Sequence, residues 1–193
     1  MHGARAQKPF VHSYLQECIE VVHGPSCRPE TELYLDRCMN DKVAVSRRRG
    51  GGGAVVLSPG MVITIVVGHR KKKEGAVAIF SRIHDGMIAI LDPAKSLNIQ
   101  KAGISDLTIN GRKILGSSLY MQRSPFFYYY QSSLMVTSDS TIIAKYLAPP
   151  LREPLYRQGR PHEFFCSTLS KEGCTISPEA IARFFIDDLP RWL

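Results

Sequence analysis

The chain has 193 residues, 44% hydrophobic and 22% charged, the proportions of one folded domain that buries a core of its own. No run reaches the roughly 18 apolar residues of a membrane-spanning helix, and Met1 to Phe10 carries charge without the apolar stretch of a secretory signal. Five cysteines (Cys18, Cys27, Cys38, Cys166, Cys174), with no C-x-x-C pair, argue against a zinc ribbon or a disulfide scaffold; they predict reduced thiols in a cytoplasmic protein.

The net charge of +8 is concentrated. Between Arg47 and Lys73 stand seven basic residues and no acid, and the remaining 18 basic residues nearly balance the 17 acids. A field of that sign in one stretch attracts phosphates, nucleic acid or an acidic protein.

Phe10 to Val22 predicts one or two short strands ending at Gly24, and Pro29 to Asn40 one short helix. Pro29 suits a first helical position there, and Glu30 and Glu32 suit the dipole. Ala54 to Leu57 and Val62 to Gly68, separated by Ser58-Pro59-Gly60, predict paired strands. Val77, Phe80, Ile83, Met87, Ile88 and Leu91 recur at helical spacing within Gly75 to Leu91. Asn110-Gly111, between Leu107-Thr108-Ile109 and Arg112-Lys113-Ile114, is the preferred pair of a two-residue hairpin. Phe126 to Val136 predicts an aromatic strand, Thr141 to Leu147 and Pro178 to Leu189 predict helices, and Ser177 is an N-cap candidate. Pro149 to Pro161 predicts a surface loop. Strands mixed with a few helices, without regular βαβ alternation, predict an α+β domain with mixed, largely antiparallel sheets.

Two motifs carry chemistry. Arg47-Arg48-Arg49-Gly50-Gly51-Gly52-Gly53-Ala54 sits between apolar segments, Val43 to Val45 and Ala54 to Leu57. Its glycines offer backbone N–H groups that a ligand approaches closely, beside arginines suited to anionic oxygens. It is neither a Walker A loop nor a G-x-G-x-x-G helix opening. The second motif is the hairpin itself, which places Lys113 before the small residues Gly116 to Ser118. Read alone, Lys113 is better taken as a solvent-facing strand lysine than as a phosphate ligand. Tyr128 to Tyr130 read as core, and Cys166, Cys174 and His162 lack the signature of a Cys–His nucleophile.

In that order, R-R-x-G-G-G-G-A-V and D-L-x-x-N-G-R-K-x-x-G-S-S resemble the catalytic domain of lipoate–protein ligases, within the biotin/lipoate protein ligase superfamily. The resemblance runs from about Val21 to Leu147. It implies a class II aminoacyl-tRNA synthetase/biotin ligase-like catalytic domain across residues 1–193, without the accessory C-terminal domain of longer relatives. It further implies that lipoate or octanoate attacks the α-phosphate of ATP, with Mg²⁺, to give an acyl-adenylate. A lysine of an acidic lipoyl acceptor domain then takes the acyl group. That acceptor would be a glycine cleavage H protein or a 2-oxoacid dehydrogenase acyltransferase, and a separate accessory chain is a further implied partner.

By position, the resemblance assigns Arg48 to the ATP phosphates. Gly51, Gly52, Gly53 and Ala54, with Val55 and Val56, would line the acyl tail and adenylate. Asp106 would contact the adenosine, and Lys113 would serve both steps at the carboxylate and α-phosphate. Where ligases commonly carry histidine, this chain has Leu57-Ser58 and Tyr129-Tyr130-Gln131. Cysteine-dependent octanoyltransferases fit less well, because Lys101 to Asp106 holds no cysteine and Ala148-Pro149-Pro150 replaces a Pro-Cys-Gly turn. Two other readings stand beside the ligase: an acyl-adenylate or fatty-acid binding module with little turnover, and nucleic-acid binding through Arg47–Arg49 and His69–Lys73. The second lacks interleaved aromatics and any recognised module. The His69–Lys73 run reads as a solvated loop, or as a basic rim for an acidic acceptor.

Overall fold

The protein is described here by a computed structural model covering residues 8–193. The secretory-signal reading of Met1 to Phe10 therefore falls, for residues 1–7, outside the described residues. The chain forms strands β1 (Phe10–Leu15) and β2 (Glu20–His23), helices α1 (Pro29–Glu32) and α2 (Leu35–Asn40), and strands β3 (Ala44–Arg47), β4 (Ala54–Leu57) and β5 (Met61–His69). Helix α3 (Ala76–Leu91) precedes β6 (Gln100–Ala102), β7 (Asp106–Ile109), β8 (Arg112–Arg123) and β9 (Phe126–Met135). Helices α4 (Ile142–Tyr146), α5 (His162–Phe165) and α6 (Pro178–Asp188) complete it.

An antiparallel six-stranded sheet, in the order β1-β5-β9-β8-β7-β6, faces a three-stranded sheet in the order β3-β2-β4, in which β2 pairs parallel with β3 and antiparallel with β4. This is the expected α+β architecture. Helices α3 and α6 cover one face of the large sheet, burying Ile79, Ile83, Met87, Ile181 and Phe185 against Val62, Val66, Tyr128 and Tyr130. The second core, with Val21, Val56, Met61, Ile63, Met135 and Phe165, joins the small sheet to the opposite face. Ser177 caps α6 as expected, its Oγ accepting from the Ala180 N–H at 3.2 Å.

Four expectations need correction. Pro29 to Asn40 is two helices, because Leu33 turns extended and buries its side chain while Tyr34 N–H and Glu32 C=O bond to the 146–148 backbone. Tertiary pairing outweighs local helix preference there. Strands β4 and β5 both form but lie in different sheets. The turn between them is tied to the end of β9, where Val136 and Thr137 donate their N–H groups to Gly60 C=O, and Gly60 takes φ +85°. A Cβ on Gly60 would lie 2.7 Å from Ser138 N, so the close approach requires glycine. In α3 the buried stripe runs through Ile79 and not Val77, which is 64% exposed. Finally, the Pro149–Pro161 loop contains a 3₁₀ turn at Leu155–Arg157 and buries Arg157.

Candidate active site

The site is built on the β7–β8 hairpin. Asn110 and Gly111 take φ of +51° and +70°, as a two-residue hairpin turn of this hand requires, and Ile109 pairs with Arg112. One irregularity decides where Lys113 goes. Thr108 pairs with Lys113 but Leu107 pairs with Leu115, so Ile114 is an extra residue, a β-bulge. Strict alternation would send positions 113 and 116 to opposite faces; the bulge puts both on one, with Ile114 and Leu115 buried in the core. The C-terminal segment holds the hairpin from outside. Glu172 forms an ion pair with Arg112, accepts from Asn110 Nδ2 at 3.0 Å and from Ser167 Oγ at 2.5 Å, while Ser167 N–H donates to Lys113 C=O at 2.8 Å.

The side chain of Lys113 lies along Gly116 and places Nζ 2.9 Å from Asp106 Oδ1. The other carboxylate oxygen, Oδ2, accepts from the Tyr156 hydroxyl at 2.8 Å. Burial, reinforced by the Asp106 charge, pushes that hydroxyl far above its ordinary pKa, so Tyr156 stays protonated and donates.

The glycine-rich loop faces this constellation. The Arg48 guanidinium spans the loop: Nη1 donates to Val22 C=O at 3.2 Å, and Nη2 to Gly51 C=O at 2.9 Å and Gly53 C=O at 2.8 Å. Its Nε is buried without a partner among the described residues. Gly52 has φ +99°, and a Cβ on Gly24 would sit 2.0 Å from Gly52 C=O, so two glycines permit two backbones to touch. Gly51 N–H reaches Leu119 C=O of β8 at 3.4 Å, joining the loop to the large sheet.

Between the two sheets lies a cavity of about 870 Å³, within the size range of small-molecule sites. Of the site residues read from the sequence, Arg48, Gly52, Gly53, Ala54, Val55, Val56, Asp106 and Lys113 all line it; Gly51 adjoins it in the loop. The cavity lining combines apolar side chains, among them Val22, Met61, Ile63, Met135 and Phe165, with the polar Ser105, Asp106, Lys113 and Ser117 and with Arg47 and Arg49.

Sequence reasoning missed Tyr14, Tyr129, Gln131, Arg157 and His162, which also line the cavity. Alternation along β9 carried a signal for two of these. Tyr128 and Tyr130 point into the core as expected, and Tyr129 and Gln131 point the other way. Nothing local marks Arg157, which arrives from a segment read as surface, and His162, just past that segment, stands out in the sequence only as a neighbour of Cys166 and Cys174. Cys166 is buried, and burial raises its thiol pKa against the opposing pull of the nearby Lys113 and Arg157 charges. Cys18 is the exposed cysteine.

Beneath the site, Ser117 Oγ donates to Ser105 C=O at 2.7 Å and so accepts from His84 Nε2 at 3.2 Å. Burial lowers the His84 pKa to about 4, so the ring is a neutral donor. The basic run divides. Arg70 caps the carbonyls of Lys71, Lys72, Glu74 and Gln122 and stacks 4.9 Å over the Phe126 ring, while Lys71 to Lys73 are exposed.

The model of the lipoyl protein ligase A/B catalytic domain matches residues 1–189. The chain belongs to that family. Among solved structures, the bi-partite lipoate protein ligase of Thermoplasma acidophilum, from an archaeal lipoylation system described with its E2 lipoyl domain, superposes with a TM-score of 0.80 at 18% identity. The match covers 95% of this chain and 71% of that one. A lipoate-protein ligase A bound with ATP gives 0.79 at 17% identity, covering 95% and 72%. LipL1 of P. falciparum, in complex with lipoate, gives 0.76 at 19%, covering 95% of this chain and 49% of that chain. At these identities the likeness establishes a shared fold. No curated protein sequence matches the chain. Among the described residues no helix is long and apolar enough to cross a membrane.

Proposed function

We propose that the chain is the catalytic domain of an ATP-dependent lipoate or octanoate protein ligase, which forms an acyl-adenylate and passes the acyl group to a lysine of a lipoyl domain. The observation that carries this reading is that the glycine loop and Lys113, about 60 residues apart in sequence, line one cavity together with apolar side chains and Arg47, Arg48 and Arg49. Family membership and the fold shared with lipoate ligases support it.

In this reading the acyl chain lies against the apolar lining, beside Val56, Met61, Ile63 and Met135, with its carboxylate toward Lys113. A carboxylate oxygen forms a bond to the α-phosphorus as the bond to the pyrophosphate oxygen breaks. The chemistry needs alignment and neutralisation of negative charge more than a covalent nucleophile. Lys113 supplies a fixed ammonium between the two anions. Arg48 has committed its Nη groups to loop carbonyls, so its part is to hold Gly51 to Gly53 in shape and lend its charge through the loop. Arg47 and Arg49 at the rim face the departing phosphates. In the second step the neutral acceptor amine bonds to the acyl carbon, AMP leaves with the pair of electrons from the anhydride bond, and the proton lost from nitrogen passes to solvent.

Magnesium enters as part of the MgATP substrate. Among the described residues no group of three or more His, Cys, Asp or Glu side chains is placed to hold a metal ion, and Asp106 is already engaged by Lys113 and Tyr156.

The test is incubation with MgATP and either lipoate or octanoate, alone and with candidate accessory chains, followed by mass spectrometry. Acyl-adenylate and pyrophosphate are expected. A bound acid or adenylate without turnover would instead favour a binding module, and neither binding nor adenylate in any combination would overturn the ligase reading.

A further inference from the structure

We infer that Tyr156 is a positioning residue for Lys113, acting through the Asp106 carboxylate, and that the Pro154–Arg160 strap exists to clamp the lysine hairpin at both ends. The inference rests on Lys113 being the reactive cation of the ligase proposed above.

The two oxygens of Asp106 have different partners: Oδ1 holds the Lys113 ammonium and accepts a long bond from Ser105 Oγ at 3.5 Å, and Oδ2 holds the Tyr156 hydroxyl. A carboxylate bonded on one oxygen only is free to turn about its Cβ–Cγ bond. Bonded on both, it presents Oδ1 to Lys113 in a single orientation. Tyr156 is not among the residues that line the cavity, although its neighbours Pro154 and Arg157 are, and its ring stands 5.2 Å from that of Phe165. Its polar link to the site is the hydrogen bond to Asp106.

The other end of the strap grips the hairpin turn. Arg160 Nη2 donates to Gly111 C=O at 3.0 Å and to Tyr156 C=O at 2.8 Å, so one guanidinium joins the turn to the residue that holds Asp106. The Arg157 and Arg160 guanidinium groups lie 4.7 and 5.5 Å from the Phe165 ring, and Arg157 Nε donates to Arg160 C=O, which locks the strap on itself. Asp106 and Gly111 flank the stretch of hairpin that leads to Lys113, and both are held by a segment about 50 residues later in the chain.

Tyr156→Phe removes one hydroxyl and keeps the ring on Phe165. Adenylate formation is expected to lose about tenfold in kcat, with KM for ATP and for the acid within about twofold of the unaltered protein. Asp106→Asn is expected to lose at least as much, and the double variant no more than Asp106→Asn alone. A raised KM with unchanged kcat, or losses that multiply in the double variant, would overturn the inference, because Tyr156 would then act on a ligand or independently of Asp106. A second readout does not depend on ligase activity: brief acetylation with acetic anhydride, quantified at each lysine by mass spectrometry. Lys113 should label several-fold faster in the Tyr156→Phe variant while Lys101, paired with Asp85 elsewhere, is unchanged. Equal labelling of Lys113 in both proteins would overturn the inference even if no adenylate forms; the absence of adenylate alone would count against the ligase reading only.

Discussion

Gly116 and Lys113 share one face of β8 although they stand three residues apart. A Cβ at Gly116 would come within 2.8 Å of both Cε and Nζ of Lys113. The bulge at Ile114 creates this contact, and the lack of a side chain at Gly116 makes room for the ammonium beside Asp106.

Gly116→Ala should therefore separate activity from stability. The methyl group meets the far end of a flexible side chain, which swings aside at little cost to the fold. Thermal unfolding should stay close to that of the unaltered protein, while adenylate formation falls by about 10- to 100-fold through misplacement of the ammonium. Unchanged kinetics would mean that Lys113 does not act from its place over Gly116.

Arg48→Lys tests whether the guanidinium works by shaping the loop. One ammonium cannot reproduce a planar fork that serves Val22, Gly51 and Gly53 carbonyls together. Faster amide hydrogen exchange at Gly50 to Gly53, with adenylate formation lowered about tenfold, is the expected result. Exchange at the rate of the unaltered loop would assign Arg48 to direct phosphate contact only.

His84 makes stability depend on pH on the acid side. The unfolded imidazole takes up a proton near pH 6.5 and the folded one only near 4, so below pH 6.5 the unfolded chain binds more protons. Its contribution is fully present above pH 6.5 and is lost as pH falls toward 4, about 2 kcal/mol of it between pH 7.5 and 5. Urea unfolding at those two pH values should show this slope, flattened in His84→Gln. His162, whose pKa burial also lowers, contributes in the same direction and remains in that variant.

Lys71, Lys72 and Lys73 are exposed on a loop whose shape Arg70 maintains, so their charge can be reversed without disturbing the loop. If they form a rim for an acidic acceptor domain, the triple change to Glu slows transfer to that domain about tenfold at low salt, with the difference fading as salt rises. Adenylate formation is left alone. Equal loss in both half-reactions would refute this division of labour.

Much of the site is legible in the sequence because its parts are local. Four consecutive glycines after three arginines, and Asn-Gly between two apolar alternations, each specify a backbone shape within a few residues. The residues chosen from those motifs all lie in or beside one cavity. Tyr129 and Gln131 were available from the alternation of β9 once its core face was identified. Arg157, His162 and Tyr156 were not. They sit in a proline-rich segment without periodicity, and their places depend on where that segment crosses the hairpin.

Composition and local pattern alone determined an α+β fold, its main strands and helices, a localised positive field and the two motifs, because turn chemistry and alternation act over short distances. Only the tertiary structure decided the rest. The 146–148 backbone breaks the predicted helix at Leu33, and the Gly60 turn sends β4 and β5 into different sheets, with the cavity between those sheets. A one-residue bulge sets the direction of Lys113, and a distant tyrosine fixes the carboxylate beside it. The net charge carries the same lesson: Arg47 to Arg49 gather at a cavity, Arg70 is spent on its own loop and Lys71 to Lys73 face solvent. What a charge can do depends on which carbonyls and which neighbours the fold brings to it.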